Sequence, residues 1–299
     1  MAKLCFSSVV TANHFQYYIP LFVYSTCKAY PDDGVQIFLT GKLKQSTKDA
    51  LKLVPHNNWE VKEKWFTDYP NQPSMCNSLR FLIPRKEYDG FDYIFVRDID
   101  FVMFRSEPTH LDYLVKRMKN SPYYGVRGPY NYPRRPKINY IGWKQDYTRI
   151  AGGTFLMKNP DWFNATDRVT KAYLKRLKYG EADGIDAHIP ASYREYDEVM
   201  LYRICKHSGL KTPRIKNKDV YGHHISNVYR DVHLGDFNKA HRGMSKLKRV
   251  LADKTVKKYL ELEEDSVWQA IKEIVSKNGK IAKVLRRARM HMDSRSSSL

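Results

Sequence analysis

The sequence predicts an α/β protein built on a mostly parallel, open sheet flanked by helices. Three observations predict it. Apolar runs of strand length recur at residues 4–11, 35–39 and 93–97, and helical patterns lie between them. The first strand, helix and second strand follow one another within about 35 residues, the spacing of a βαβ unit. The run Tyr93-Ile94-Phe95-Val96-Arg97 stops at Asp98-Ile99-Asp100, which puts two carboxylates at the carboxyl end of a buried strand. Open α/β sheets bind their ligands at that end.

The elements follow in order. Residues 4–11 form the first strand, too short and too polar for a secretion signal. An apolar helical pattern through Tyr17, Leu21, Tyr24 and Cys27 ends at Tyr30-Pro31, and Asp32-Asp33-Gly34 turns the chain into the second strand. A helix at 46–54, a short strand at 59–65 and a helix at 74–82 lead into the aspartate strand, the fourth. A helix near 111–118 comes next. The prolines and glycines of 123–149 break regular structure, so this stretch reads as a long loop, and its tyrosines and tryptophans mark it as a binding loop or lid. The strand at 150–157 opens with small residues, where backbone can approach a ligand. A basic helix from Asp161, a loop at 179–190 and a helix at 194–207 complete a domain assigned to residues 1–244. Only helices follow, a basic region at 245–291 expected as an appendage, and a Ser-rich tail at 292–299 expected to be disordered.

Composition bounds the function. The 299 residues, 42% of them hydrophobic, can bury a substantial core. Lys and Arg outnumber Asp and Glu by 52 to 32, and a field of that sign concentrates anions such as nucleotides, acidic head groups or nucleic acid. Cys5, Cys27, Cys76 and Cys205 are dispersed, without a paired spacing, which argues against a zinc knuckle or a disulfide framework and fits a reducing compartment. No run approaches the ~18 apolar residues of a membrane span. A cytoplasmic location is expected, with a peripheral position at the inner face of a membrane as an extension.

Asp98 and Asp100, two apart in extended chain, face the same way and suit a hard cation, Mg²⁺ or Mn²⁺, bridging carboxylates to phosphate oxygens. The plainer alternative is a strand-end turn that carries two solvated aspartates. Asp197 and Glu198, at a helix start, can likewise simply complement the helix dipole.

The order of these features resembles the metal-dependent glycosyltransferases of the GT-A fold, most closely the family containing bacterial lipooligosaccharide galactosyltransferases and glycogenin. Four stretches carry the resemblance: the arginine helix Ser78-Leu79-Arg80-Phe81-Leu82 leading into the Asp98-Ile99-Asp100 strand; Ala151-Gly152-Gly153; Asp197-Glu198; and His233-Leu234-Gly235-Asp236-Phe237-Asn238-Lys239. The resemblance implies Asp98, Asp100 and His233 as metal ligands, and Arg80, Asp98 and Lys239 as contacts to phosphates and donor sugar. It implies Thr11 and Asn13 at the base and ribose, Gly152, Gly153 and Asp197 along the donor sugar, and Asp197 with Glu198 as catalytic carboxylates. The chain departs from the family pattern where Glu198 replaces Gln, where Gly235 stands one residue closer to His233, where Ala240-His241 replace Pro-Trp, and where His14 replaces an aromatic. His223 and His224 compete with His233 as ligands.

The implied activity is metal-dependent transfer of a sugar from a nucleoside-diphosphate sugar, UDP-linked first, to a hydroxyl, with retention favoured over inversion. A glycan or glycolipid acceptor at an anionic membrane surface comes first, the helices after Ser245 and the segment 283–289 serving as interfacial anchor. Hydroxylated bases of viral DNA come second. A non-catalytic polyanion-binding protein on the same fold is the third reading.

Overall fold

The computed structural model describes residues 2–69, 77–105, 110–119, 122–127, 139–140, 143–144, 154–178, 196–211, 222–224 and 246–296. Its centre is a six-stranded sheet of order β3-β2-β1-β4-β9-β6. β1 (Leu4–Val10) pairs in parallel with β2 (Gly34–Leu39) on one side and β4 (Tyr93–Arg97) on the other, and β3 (Trp59–Lys62) extends the parallel set beyond β2. The other two main-sheet strands run antiparallel to their neighbours, β9 (Thr154–Lys158) to β4 and β6 (Gly125–Arg127) to β9. The expected mixed, mostly parallel sheet is therefore present. The carboxyl ends of β1 to β4 share one edge.

Every residue of β1 is buried, because helices cover both faces of the sheet. On one face, Leu4, Phe6, Val10 and Ile37 pack with α1 (Ile19–Ala29) and α2 (Gln45–Leu51). On the other, Cys5, Val9, Ile94 and Val96 pack with Trp162 and Leu177 of α4 (Asp161–Lys178) and with Leu201 and Ile204 of α5 (Tyr196–His207). The alternation follows the two-residue period of a strand buried on both sides. The helix expected near 111–118 is α3 (His110–Lys119).

Part of the stretch assigned to a long loop is strand. β6 takes the edge of the main sheet, while β7 (Asn139–Tyr140) and β8 (Trp143–Lys144) pair with each other. Gly125 permits the first of these: a Cβ there would stand 2.6 Å from Cζ of Phe155. β10 (Gly222–His224) pairs antiparallel with β5 (Phe101–Met103), so the chain following the acidic turn is itself paired.

The C-terminal helices α6 (Lys246–Glu263), α7 (Ser266–Val275) and α8 (Gly279–Ser296) lie against the α1 face. Trp268, Ile271, Val275, Ile281, Leu285 and Ala288 are buried in the same apolar cluster as α1 and β1. These helices form part of the cover of the sheet. Glu263, buried at the end of α6, accepts a hydrogen bond from the Trp268 indole (2.8 Å) and pairs with Lys272 of α7 and, at 3.6 Å, with Arg289 of α8. α8 continues through Ser296, past the point where the tail was expected to begin, and Arg289 pairs one turn on with Asp293.

Candidate functional site at the carboxyl edge of the sheet

The acidic motif is a turn rather than extended chain. β4 ends at Arg97, and the amide of Phe101 donates to the Asp98 carbonyl at 3.3 Å, closing residues 98–101. The two-residue alternation of a strand therefore does not govern where Asp98 and Asp100 point. Ile99 is buried between them, whereas both aspartates are partly exposed. At the end of β4 the Arg97 guanidinium lies 3.5 Å from the ring centroid of Phe101 and 5.1 Å from that of Phe95.

Arg80 organises the turn. It is only 4% exposed, and its guanidinium forks between two carboxylates, Nη1 donating to Asp98 and Nη2 donating to Oδ2 of Asp197 at 2.6 Å. Residues 80 and 197 are far apart in sequence, and this ion pair ties the start of α5 to the acidic turn. Burial works against the charge on Arg80, but the two carboxylates outweigh it and raise its pKa. The Arg80 Nε, also buried, has no hydrogen-bond partner among the described residues. Arg80, expected with Asp98 and Lys239 at phosphates and donor sugar, has both terminal nitrogens on carboxylates, those of Asp98 and Asp197.

Thr11 and Asn13, expected at the base and ribose, stand just past the end of β1 and bond to each other. Thr11 Oγ1 donates to Asn13 Oδ1 at 2.8 Å, and the same oxygen caps the 3-10 helix His14–Tyr18 by accepting from the amide of Phe15 at 2.9 Å. The β1 and β2 exits are joined by the amide of Ala12 donating to Thr40 Oγ1. His14 stacks on Phe15, and its pKa is lowered by burial and by Lys280 and Lys44. Tyr18, buried at the end of the 3-10 helix, has its hydroxyl pKa raised by burial and by Asp100. A tyrosine in an apolar helical pattern gives no hint in the sequence that an aspartate from another element acts on its hydroxyl.

The donor set suits a hard cation in its chemistry, since two partly exposed carboxylates offer oxygen ligands at the sheet edge. Among the described residues, no group of three or more His, Cys, Asp or Glu side chains stands together as a metal site. His233, Lys239, Gly152 and Gly153 lie outside the described residues, as does the side chain of Glu198. The backbone of His224 pairs with that of Phe101, the residue following Asp100.

No protein-family model matches the chain, and no curated protein matches it. Among solved structures, it is similar to the apo-form glycosyltransferase GlyE of Streptococcus pneumoniae TIGR4, with 10% identity over 79% of this chain and 50% of that one and a TM-score of 0.43. It is also similar to the galactosyltransferase LgtC in complex with donor and acceptor sugar analogs, with 12% identity over 70% of this chain and 97% of that one and a TM-score of 0.37. The chain spans about half the length of the GlyE structure.

Proposed function

We propose that the protein is a metal-dependent glycosyltransferase that moves a sugar from a nucleoside-diphosphate sugar, UDP-linked first, to a hydroxyl of a glycan or glycolipid. One observation carries this reading: a buried arginine holds an aspartate of the Asp-x-Asp turn and an aspartate at the start of α5 together, at the carboxyl edge of a parallel sheet, beside the Thr11–Asn13 pair. Asp98, Asp100 and His233 would hold a divalent cation, Mn²⁺ or Mg²⁺, which would supply neutralisation of a departing diphosphate. Arg80 keeps Asp98 and Asp197 in place before substrate arrives, so that little reorganisation is left for the reaction. Asp197, with Glu198 next to it, faces developing positive charge at the anomeric carbon, in keeping with retention. Thr11 and Asn13 take the nucleoside, and Gly152, Gly153 and Lys239 take the donor sugar and phosphates.

Transfer to hydroxylated DNA bases is the second reading, favoured by the surplus of 20 positive charges. A screen of nucleotide-sugars with Mn²⁺ for thermal stabilisation and slow hydrolysis tests the donor half. The expected result is stabilisation by one nucleotide class and hydrolysis that Asp100→Asn lowers by at least about 100-fold. Absence of both in every nucleotide class contradicts it.

A further inference from the structure

One polar side chain in the core is not accounted for by packing. Gln16, in the 3-10 helix His14–Tyr18, is fully buried. A buried amide is costly unless its polar atoms are bonded, and a methionine fills a similar volume without that demand. Gln16 meets it with three bonds: Nε2 donates to the carbonyl of Ala12 at 3.0 Å and to that of Asn13 at 3.3 Å, and Oε1 accepts from the amide of Lys44 at 2.7 Å. All three partners are backbone. Two lie just past β1 and the third lies in the loop that leaves β2, so one side chain ties the two strand exits together.

Other bonds converge on the same junction. The amide of Thr40 donates to the Val10 carbonyl at 3.0 Å, that of Lys64 to the Gly41 carbonyl at 2.9 Å, and that of Leu43 to Oε2 of Glu63 at 3.1 Å. Gly41 leaves no room for a Cβ, which would stand 2.5 Å from that of Ala12. The Lys44 ammonium lies 5.3 Å from the centroid of the Tyr17 ring. Residues 40–44 therefore form a fixed wall beside Asn13. Asn13 itself commits Oδ1 to Thr11 and to the Phe15 amide, and its amide orientation follows from those two bonds. That leaves Nδ2, without a partner among the described residues, as the free donor of a partly exposed side chain.

We propose that Gln16 is a positioning residue for the nucleoside of the donor. It fixes the backbone of Ala12 and Asn13 against the β2-exit loop, so that Asn13 Nδ2 meets its ligand from a set place. The proposal rests on the reading of Thr11 and Asn13 as nucleoside contacts, and it names what holds them. The strand order β2-β1-β4 puts the Gln16 junction on one side of β1 and the acidic turn on the other. The junction thus bears on the nucleoside and not on a diphosphate at Asp98 and Asp100. A donor held in place by bonded, buried neighbours binds without first being ordered, so removing its support weakens binding.

The test is calorimetric titration of the full chain with UDP, GDP and pyrophosphate, each with Mn²⁺, for the native protein, Gln16→Met and Gln16→Glu, alongside thermal unfolding of each. Gln16→Met keeps the length and removes all three bonds. In Gln16→Glu burial holds the carboxyl protonated, so it still donates to one carbonyl and accepts from the Lys44 amide. The nucleotide that the native chain binds is expected to lose about ten- to a hundredfold in affinity in Gln16→Met, the scale seen when the hydrogen bond behind a metal-holding group is removed, and less in Gln16→Glu. Pyrophosphate binding is expected to be unchanged in both. In nucleotide-sugar hydrolysis the loss falls on KM and leaves kcat in place. Unchanged nucleotide affinity in Gln16→Met, a pyrophosphate loss as large as the nucleotide loss, or a fall in kcat with KM unchanged overturns the proposal. Failure of both variants to fold also overturns it, since Gln16 then serves the core alone. Binding of neither UDP nor GDP by the native chain removes the nucleotide reading together with the proposal, whereas nucleotide binding that survives Gln16→Met keeps that reading and removes only the positioning role.

Discussion

Arg80 decides the chemistry of the site before any substrate is present. A guanidinium has the planar fork that two carboxylates from different elements require, and a lysine ammonium does not. Arg80→Met leaves Asp98 and Asp197 crowded without their cation, and a loss of about 3 kcal/mol is expected in urea unfolding. Arg80→Lys is expected to recover only part of it. A loss under about 0.5 kcal/mol for Arg80→Met, the size of an ordinary surface change, contradicts the bridging role. The sequence makes Asp98 visible where an apolar strand stops and Asp197 at a helix start, and Arg80 through the resemblance of its motif to a known family's. It does not show that they bond to each other, since an ion pair between a turn before β4 and the start of α5 depends on how the whole sheet closes. The extended reading of Asp98 and Asp100 failed for a local reason: the Phe101 amide closes a turn that strand periodicity does not foresee.

At the scale of elements, Asp265 joins the C-terminal helices to α1. It caps α7 by accepting from the Trp268 amide at 2.9 Å and pairs with Lys28 of α1. Burial alone would raise its pKa, but Lys28, Tyr24 and the Trp268 amide outweigh it and bring it from 3.8 down to about 2. A carboxylate with a depressed folded pKa contributes stability that is complete above its unfolded value and is lost as pH falls through the folded one. Stability is therefore expected to fall between pH 4 and pH 2, and Asp265→Asn to flatten that part of the profile in denaturation measured at a series of pH values. An unchanged profile in Asp265→Asn contradicts this role. Trp268→Ala, which empties a fully buried site between α7 and α1, is expected to cost about 3–5 kcal/mol. The amphipathic patterns of 245–291 showed that these helices bury a face. They did not show which surface receives it; the structure sets it against the α1 face of the sheet. The strands of the first half were easier to read, since burial on both faces leaves unbroken apolar runs. β6, three residues at an edge, carries no such signal.

For the whole molecule, the packing of α8 limits how the protein meets a membrane. Its apolar residues Ile281, Leu285 and Ala288 are buried in the core, while Lys280, Lys283 and Arg286 are exposed. Insertion of the apolar face would remove it from that core, so the anchor expected from the sequence is reduced to a charged surface. Any binding to anionic vesicles is expected to disappear near 1 M salt, where screening leaves about 3 Å of reach, and neutral vesicles are expected not to bind. Salt-resistant binding in a sedimentation assay contradicts this. No described helix is long and apolar enough to cross a membrane. Whether the acidic turn holds a cation against a nucleotide diphosphate is measured directly by anomalous scattering from a crystal grown with Mn²⁺ and UDP. One manganese peak is expected within coordination distance, about 2.0–2.6 Å, of carboxylate oxygens of both Asp98 and Asp100, with diphosphate oxygens on its other side. Manganese bound elsewhere, or UDP bound with the turn left empty, contradicts it.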